Sequence, residues 1–216
     1  MTDTNAAWLA RRLGQLGVHV RLVASVPDEI DVIAQFVRER AAAVDVLVVT
    51  GGLGGTPDDV TREALAAAFG VEQLEVPELA SELRARFARD PEYAVRWALL
   101  PAASRPLANP RGGAPGFAIE NVYVLPGLPS EMEAMFDAIA DELRAGPPIG
   151  VWRRTYRTRE SEIAALLAET GERWPQVLVG SYPRFDATGP EVDVVLKSSD
   201  AALLAEASAF VSGALG

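Results

Sequence analysis

The sequence contains no cysteine and only one histidine, His19, among 216 residues. Without cysteine there are no disulfide bonds, thiolate nucleophiles or zinc–thiolate centres. A single histidine does not build a histidine-rich metal site, and His19 is predicted to be a packing or surface residue. Any acid–base or metal chemistry must therefore rest on carboxylates.

Positive charge is also scarce, with 20 basic against 30 acidic residues, a formal net charge of -10 and Lys197 as the only lysine. This balance argues against a nucleic-acid partner, even though residues 152–157 interleave aromatics with arginines. No apolar run approaches the roughly 18 residues of a membrane span, and the amphipathic start lacks a signal peptide. We therefore expect a cytoplasmic protein with no membrane partner.

Strand and helix patterns alternate along the first two thirds of the chain. Apolar periodicity and turn residues predict the following elements: a helix capped by Thr4 or Asp3 and ending at Gly17, a strand at 18–24, a helix opening at 27–28, a strand at 46–50 and helices at 57–69 and 78–90. The strand 46–50 has no polar alternation, as expected of a strand buried on both faces. The order predicts an α/β fold with a mostly parallel sheet covered on both faces.

A second pattern follows a Gly/Pro-rich segment at 145–150. Before it come a long loop at 101–116, one or two strands at 117–125, and a Ser130–Glu133 capping box that opens a helix over 131–144. After it come a strand at 151–157, a helix at 159–170, a strand at 177–181, a turn at DATGP, a strand at 191–197 and a helix at 200–214. We predict two domains, 1–146 and a small α+β (βαββα) domain at 150–216.

The stretch TGGLGGTPDD (50–59) joins the apolar strand to the next helix. Thr56, Pro57 and Asp59 suit the N-cap, N1 and N3 positions, and Asp58 and Asp59 would favour the helix dipole. Capping explains the acids but not four glycines, which let a ligand approach the backbone amides. The stretch is neither a P-loop nor a dinucleotide fingerprint. It predicts an anion cradle at a helix N-terminus.

Two carboxylates beside a bound phosphate would repel it. A divalent cation resolves this repulsion by binding carboxylate and phosphate oxygens together, which is the usual habit of Mg²⁺. We therefore expect a divalent metal, Mg²⁺ by preference, that arrives with a phosphorylated small molecule and is held by Asp59 and Asp58.

A second Gly/Pro-rich joint, PGLPS (126–130), also follows an apolar strand. Ligands of open parallel sheets lie beyond the carboxyl ends of the strands, so the two joints are predicted to form two lips of one cleft. The alternative for PGLPS alone is a rigid turn with a capping box. The loop NPRGGAPG (109–116) adds Asn109 as a polar anchor and Arg111 as a cation.

Four ordered motifs resemble one family. GGLGGTPDDVTREAL (51–65) resembles the signature of the molybdopterin-binding, molybdenum-cofactor-biosynthesis (MoaB/Mog-like) fold, in its competence/damage-inducible CinA-type branch. NPRGGAPG, VYVLPGLPSEMEAMF (122–136) and DTNAAWLARRLGQLG (3–17) resemble further segments of that branch. The match covers about residues 3–145. ESEIAALL and VGSYPRF resemble the small α/β domain appended in archaeal and flavin-nucleotide-linked relatives.

The resemblance implies a three-layer α/β/α domain, commonly a homo-oligomer (dimer or trimer), that binds molybdopterin or a nucleotide pyrophosphate. Asp59 matches the family's functional aspartate, so Asp59 and neighbouring Asp58 are the implied catalytic and metal-binding residues. The implied ligand-binding residues are Gly51, Gly52, Leu53, Gly54, Gly55, Thr56, Thr61, Asn109, Gly112, Gly113, Pro126, Gly127, Pro129, Ser130, Asp3 and Asn5.

Two departures from the family pattern affect the expected function. The usual first strand and its Gly-Asp/Thr-Glu-Leu-Leu-x-Gly segment are not seen ahead of DTN, so a neighbouring strand is expected to have an unpaired edge. A C-terminal amidohydrolase domain is also not seen, so nicotinamide-nucleotide deamidation is not expected.

Four functions stay open. The branch is linked to metal-dependent hydrolysis of ADP-ribose or flavin dinucleotides, which makes a nucleotide pyrophosphatase the leading hypothesis. The rivals are a non-catalytic molybdopterin or nucleotide binding module, an adenylyltransferase-like cofactor biosynthesis protein, and a degenerate scaffold for assembly.

Overall fold

The computed structural model describes residues 3–186 and 189–216. Its helices are α1 Thr4–Gln15, α2 Ile30–Ala41, α3 Thr61–Phe69, α4 Pro77–Arg86, α5 Pro91–Val95, α6 Pro129–Ile139, α7 Glu160–Arg173 and α8 Ala201–Leu215, with a 3-10 turn at Arg96–Ala98. Its strands are β1 Leu47–Thr50, β2 Gln73–Glu75, β3 Leu99–Pro101, β4 Arg105–Leu107, β5 Gly116–Ile119, β6 Val122–Leu125, β7 Gly150–Tyr156, β8 Leu178–Asp186 and β9 Gly189–Ser198. Within the described ranges, every helix is too short or too polar to cross a membrane.

The first sheet has the order β1-β6-β5-β4. β1 and β6 are parallel, whereas β5 is antiparallel to both β6 and β4. The α/β fold is confirmed, but the prediction of a mostly parallel sheet is wrong, since the described pairing is mixed. The cause is the region 101–125. Part of the predicted loop forms β4, and 117–125 folds into a hairpin that turns at Glu120, which has a φ of 50°.

Helices cover both faces of this sheet. On one face, Phe117 and Val122 pack in one core with residues of α2 and α3, among them Val37 and Leu65. On the other face, a Cβ added to Gly116 would lie 2.8 Å from the methyl carbon of Met135 in α6. Trp8 of α1 packs edge-on against Phe136 of α6, with ring centroids 5.3 Å apart. The domain therefore has the three layers that the resemblance implies.

The predicted strand at 18–24 is not formed. Residues 18–27 have no strand pairing, and Leu22 and Val23 are 55% and 56% exposed. Alternating apolar residues become a strand only when a neighbouring strand supplies the ladder of hydrogen bonds. For the same reason β1, at the sheet edge, is half-buried rather than buried on both faces as predicted.

Several helix ends follow the predicted signals. Asp3 caps α1, since the Ala6 amide donates to Asp3 Oδ1 at 3.0 Å. The αL conformation of Gly70, with a φ of 65°, ends α3. The predicted starts of α3 and α6 are wrong: α3 begins at Thr61 rather than at 57, and α6 begins at Pro129, ahead of the predicted Ser130 box. Proline at N1 already has a helical φ and starts α6 without a side-chain cap.

The β7-α7-β8-β9-α8 segment has the predicted βαββα order, with a sheet ordered β7-β9-β8. Val192, Val194 and Leu196 of β9 pack in one core with Ile163 of α7 and Val211 of α8. Residues 187 and 188 of the predicted DATGP turn lie outside the described residues.

The chain divides into two compact units, and they are not continuous in sequence. The first comprises residues 1–10 and 21–143, and the second comprises residues 11–20 and 144–216. In the second unit, the amides of Ala145 and Gly146 donate to the Leu16 carbonyl at 2.9 and 3.3 Å. Gly17 has a φ of 77°, and a Cβ there would fall 2.6 Å from the Gly146 carbonyl carbon.

Candidate functional site

The two glycine-rich joints lie side by side. β1 and β6 are parallel and in register from Leu47 opposite Val122 to Thr50 opposite Leu125, so both strands end at the same edge. The Gly51 amide donates to the Leu125 carbonyl at 3.0 Å. A Cβ on Gly127 would lie 3.2 Å from the Gly51 Cα, so the two loops are in direct contact.

The start of α3 holds the first joint through its carbonyl groups. Thr61 and Arg62, which are 4% and 5% exposed, donate to four consecutive carbonyls of the loop 51–54. The bonds are Thr61 Oγ1 to Gly51 O at 2.9 Å, the Thr61 amide to Gly52 O at 3.2 Å, Arg62 Nη1 to Leu53 O at 2.8 Å and Arg62 Nη2 to Gly54 O at 2.8 Å. The backbone of the glycine loop is thus fixed by two buried side chains and an amide.

These carbonyl bonds determine where the loop amides point. In a trans peptide the N–H points opposite to the carbonyl of the preceding residue. The N–H groups of Gly52, Leu53 and Gly55 therefore face away from α3, and none has an acceptor among the described residues. Successive unpaired backbone amides form an anion-binding concavity. We call the amides of residues 52, 53 and 55 the amide cradle.

At Gly52, both the backbone conformation and the packing require glycine. Gly52 has a φ of 64°, and a Cβ there would collide with Thr61 Oγ1. Gly51 also has a positive φ, 97°, but a Cβ there would meet open space. The close packing of Gly52 on Thr61 is what allows the helix start to reach the loop carbonyls.

Asp59 closes a turn with Thr56 rather than sitting in a helix. The Thr56 amide and hydroxyl donate to Asp59 Oδ2 at 2.9 and 2.5 Å, and the Asp59 amide donates back to the Thr56 carbonyl at 3.0 Å. The Gly54 amide also donates to the Asp59 carboxylate. The predicted N-cap, N1 and N3 roles of Thr56, Pro57 and Asp59 are therefore wrong, because this turn precedes α3.

The turn stabilises the ionised form of Asp59. Partial burial raises the pKa of Asp59, but the hydrogen bonds from Thr56 and Gly54 outweigh burial and lower this pKa below its ordinary value. The nearby charge of Arg62 acts in the same direction. Asp59 is therefore an anion at neutral pH, and its carboxylate accepts a hydrogen bond from the Gly54 amide, which lies between the cradle amides of Leu53 and Gly55.

Asp58, in contrast, is exposed and its carboxylate has no partner among the described residues. Across residues 3–186 and 189–216, no group of three His, Asp or Glu side chains is placed to hold a metal. The donors present, Asp58 and the oxygens that Asp59 has left, fit only a metal that the ligand brings with it, since Mg²⁺ takes one or two carboxylates together with phosphate oxygens.

The second joint carries an unsatisfied acceptor. Asn5 Nδ2 donates to the Gly127 carbonyl at 2.8 Å, and this bond fixes the orientation of the amide. Asn5 Oδ1 is buried and has no partner in the described part of the chain. Pro126 is buried, whereas Gly127, Pro129 and Ser130 are exposed. Asn5 thus adds one acceptor to the edge where the two loops meet.

The third loop, 109–114, reaches the second joint through Glu131. Asn109 is 8% exposed, and its Nδ2 donates to Ala114 O and to Glu131 Oε2, both at 2.9 Å. Its Oδ1 accepts from the Arg111 amide at 2.9 Å. A Cβ on Gly113 would overlap the Glu131 carboxylate. Asn109 therefore braces its own loop, and Gly112 allows the turn with a φ of 83°.

The structure thus brings together most of the residues predicted to bind a ligand. The residues that lie next to one another are the loop 51–56 with Thr61, the PGLPS joint (126–130) and Asn5. Asp3 is not among them, because its carboxylate caps α1. Asn109, Gly112 and Gly113 are not among them either, since the described contacts of their loop run to Glu131 and not to the two joints. Whether these residues bind a ligand, and whether Asp58 and Asp59 are catalytic or hold a metal, stays a prediction.

Three residues beside the cradle, Arg62, Tyr93 and Arg96, were not among the predicted site residues. A Cβ on Gly55 would fall 2.5 Å from the hydroxyl oxygen and two ring carbons of Tyr93, so the Tyr93 ring lies directly on the loop. Burial lowers the pKa of the Arg62 guanidinium, and neighbouring Arg96 lowers this pKa further, against the opposing charges of Glu63 and Asp59. No local pattern marks Tyr93 or Arg96, because α5 and the turn after it approach the loop only in the folded chain.

Comparison with known proteins places this site in a family. Residues 1–145, more than half of the chain, match the family described as probable molybdopterin binding domain. The chain belongs to this family. Residues 155–216 of this molybdopterin-binding-domain protein match a second family, described as FAD synthase, middle domain.

Relatives place the protein in the CinA-type branch of the family. A CinA-like protein of Frankia casuarinae is 41% identical over 196 residues, which cover 82% of this chain and 45% of the relative. A Pyrobaculum calidifontis protein is 38% identical over 209 residues, covering 91% of this chain and 78% of its own length. The solved structure of the Thermoplasma acidophilum protein CinA, of unknown function, has a TM-score of 0.62 and 32% identity over 66% of this chain and 88% of that one.

Proposed function

We propose that the molybdopterin-binding-like domain binds the phosphate groups of a pterin or a nucleotide at the amide cradle. The observation that carries this proposal is the bonding of four consecutive loop carbonyls to Thr61 and Arg62, which leaves the N–H groups of residues 52, 53 and 55 without acceptors. Buried or half-buried amides without acceptors are costly, and an anion satisfies several of them at once.

The surroundings of the cradle support a phosphorylated ligand. Arg96, exposed and without an acidic partner among the described residues, places positive charge near Arg62 and the loop. Asn5 Oδ1 offers an acceptor for an N–H or O–H of the ligand. Membership in the molybdopterin-binding family makes a molybdopterin-related compound or a nucleotide the expected ligand class.

Calorimetric melting of the full chain tests binding directly. Inorganic pyrophosphate, ADP and ADP-ribose are the probes, because all three carry a diphosphate. A ligand present at 100 times its dissociation constant should stabilise the folded state by about 2.7 kcal/mol. A melting temperature that none of the three probes changes, and that molybdopterin does not change either, would favour a degenerate scaffold for assembly instead.

A second candidate, hydrolysis of the bound diphosphate, is favoured by Asp58. This carboxylate is free in the turn that contains Asp59, so a divalent metal that came with the ligand would be held by Asp58 and by a remaining oxygen of Asp59. When bound, such a metal neutralises a diphosphate and lowers the pKa of a bound water. The cradle amides would position the diphosphate and stabilise its charge.

Product analysis separates binding from hydrolysis. Under this hypothesis, ADP-ribose or FAD incubated with the chain and Mg²⁺ should release AMP, and Asp58→Asn should abolish release while leaving pyrophosphate binding intact. Asp59→Ala is the less specific variant, because it also opens the turn with Thr56. Tight binding without AMP release would assign the protein to the non-catalytic binding modules.

We also propose that residues 150–216 form a separate small domain and that the protein is a homo-oligomer. The second family match, over residues 155–216, supports the domain boundary. Light scattering on the purified chain tests for a dimer or trimer, and a monomeric mass at micromolar concentration would contradict it.

A further inference from the structure

Tyr93 is held at the edge of the amide cradle by its own short helix. Pro91 occupies the first turn of α5, and the Asp90 side chain caps the helix by accepting from the Tyr93 amide at 3.3 Å. This cap fixes the backbone of Tyr93. The contacts of the ring then select the rotamer of its side chain.

The Tyr93 ring packs in an aromatic cluster. Its centroid lies 5.8 Å from that of Trp97, with the ring planes at 69°, and Trp97 packs edge-on against Phe87 at 5.2 Å. Trp97 is 9% exposed, whereas Tyr93 is 39% exposed. Edge-to-face contacts of this kind hold a ring in place. Tyr93 therefore presents a fixed and partly open aromatic surface.

The hydroxyl end of this surface covers Gly55. The hydroxyl oxygen, Cζ and Cε2 of Tyr93 all lie 2.5 Å from the position of a Cβ on that glycine. The Gly55 amide is one of the unpaired donors of the cradle. A planar group attached to a phosphate in the cradle therefore has the Tyr93 ring as its neighbouring wall.

We propose that Tyr93 stacks on the aromatic ring system of the bound phosphate ester and makes the site selective for pterin or purine phosphates over pyrophosphate and sugar phosphates. This inference rests on the proposed binding of phosphate at the cradle. Tyr93 acts here as a ligand-contacting residue for the ring, while the cradle amides bind the phosphate.

Titration calorimetry on the full chain with ADP and inorganic pyrophosphate tests this assignment. Both probes carry a diphosphate and only ADP adds a ribose and a purine ring, so a loss confined to ADP in a Tyr93 variant reports on the nucleoside part. The variants are Tyr93→Ala and Tyr93→Phe, and the control is Tyr182→Ala, which removes another exposed tyrosine, in the second unit (53% exposed, against 39% for Tyr93). Base–aromatic stacking predicts that Tyr93→Ala weakens ADP binding by about fivefold or more. Pyrophosphate binding should stay within about twofold of wild type, and both Tyr93→Phe and Tyr182→Ala should behave as wild type.

Three other results would contradict the role of Tyr93, and a fourth would contradict the proposed function. An equal loss of ADP and pyrophosphate affinity in Tyr93→Ala would show that the ring only supports the Gly55 loop, and would overturn the inference. Unchanged ADP binding in Tyr93→Ala, or wild-type affinity no higher for ADP than for pyrophosphate, would overturn it as well. If wild type binds neither probe, the proposed function itself fails, and this result is distinct from a failure at Tyr93.

Discussion

Replacing Arg62 with methionine removes the side chain that fixes half of the glycine loop. Methionine is similar in length and favours helices about as well as arginine, so α3 should keep its backbone. The change deletes the bonds from the guanidinium to Leu53 O and Gly54 O, both 2.8 Å. Since Leu53 is 2% exposed, its carbonyl has little access to replacement water.

The expected cost follows from the two carbonyls left without donors. An unsatisfied buried acceptor costs about 1–3 kcal/mol. The Leu53 carbonyl is buried but the Gly54 carbonyl is only part-buried, so about 6 kcal/mol is an upper limit for the pair. Part of this is offset, because burial disfavours the charge of Arg62, as its lowered pKa shows, and methionine does not carry that desolvation penalty. We therefore expect Arg62→Met to lower the free energy of unfolding of the first unit by about 2–4 kcal/mol.

Urea unfolding, followed by circular dichroism, measures this loss, and amide hydrogen exchange locates it. The matched control is Arg86→Met, which removes an exposed pair with Glu82 at 3.4 Å and should change stability by less than about 0.5 kcal/mol. Exchange at the hydrogen-bonded amides of Gly54 and Thr61, which donate to the Asp59 carboxylate and to the Gly52 carbonyl, should accelerate in Arg62→Met only. Equal stability of the two variants, or unchanged exchange in the loop, would show that Arg62 does not hold the loop in shape.

Three further predictions concern the same site. Gly52→Ala should weaken pyrophosphate binding more than Gly51→Ala, because only the former collides with Thr61, and calorimetric affinities that are equal would contradict this. The lowered pKa of Asp59 contributes stability that is present above the ordinary carboxyl pKa and is lost as pH falls through the lowered value. The melting temperature of wild type should therefore fall more steeply below about pH 4 than that of Asp59→Asn. Parallel curves of melting temperature against pH would refute this prediction. Arg96→Gln should weaken pyrophosphate binding and reduce its salt dependence, whereas salt slopes identical to wild type would exclude a direct charge contribution.

The meeting of the two glycine-rich joints could be predicted from the sequence because it depends on local signals and one topological rule. Apolar strands at 46–50 and 122–125 each run into a Gly/Pro-rich joint, and ligand sites of such sheets form where strands end. The adjacency of the joints needs only one parallel pair, β1 with β6, and so they lie side by side although the rest of the sheet is antiparallel. The βαββα order of the second unit was predicted for the same reason, since its elements are local and strongly periodic.

The features that the sequence did not predict depend on contacts with residues distant in the chain. The alternation at 18–24 has no neighbouring strand, and so it forms no ladder. Asp59 was predicted at N3 of a helix, but it closes a turn with Thr56, while Thr61 and Arg62 at the true helix start bond the carbonyls of the preceding loop. Tyr93 carries no motif at all, because only the packing of α5 brings its ring onto Gly55.

The bonds from residues 145 and 146 to Leu16 have a consequence for biosynthesis. A ribosome releases residues 11–20 early, but their hydrogen-bonding partners emerge only after the whole first unit has been translated. The Leu16 carbonyl therefore gains these two donors only after residues 145 and 146 have been synthesised. Recombinant fragments that begin at residue 150 would lack this early segment, and they should be more susceptible to proteolysis than the same residues within the full chain.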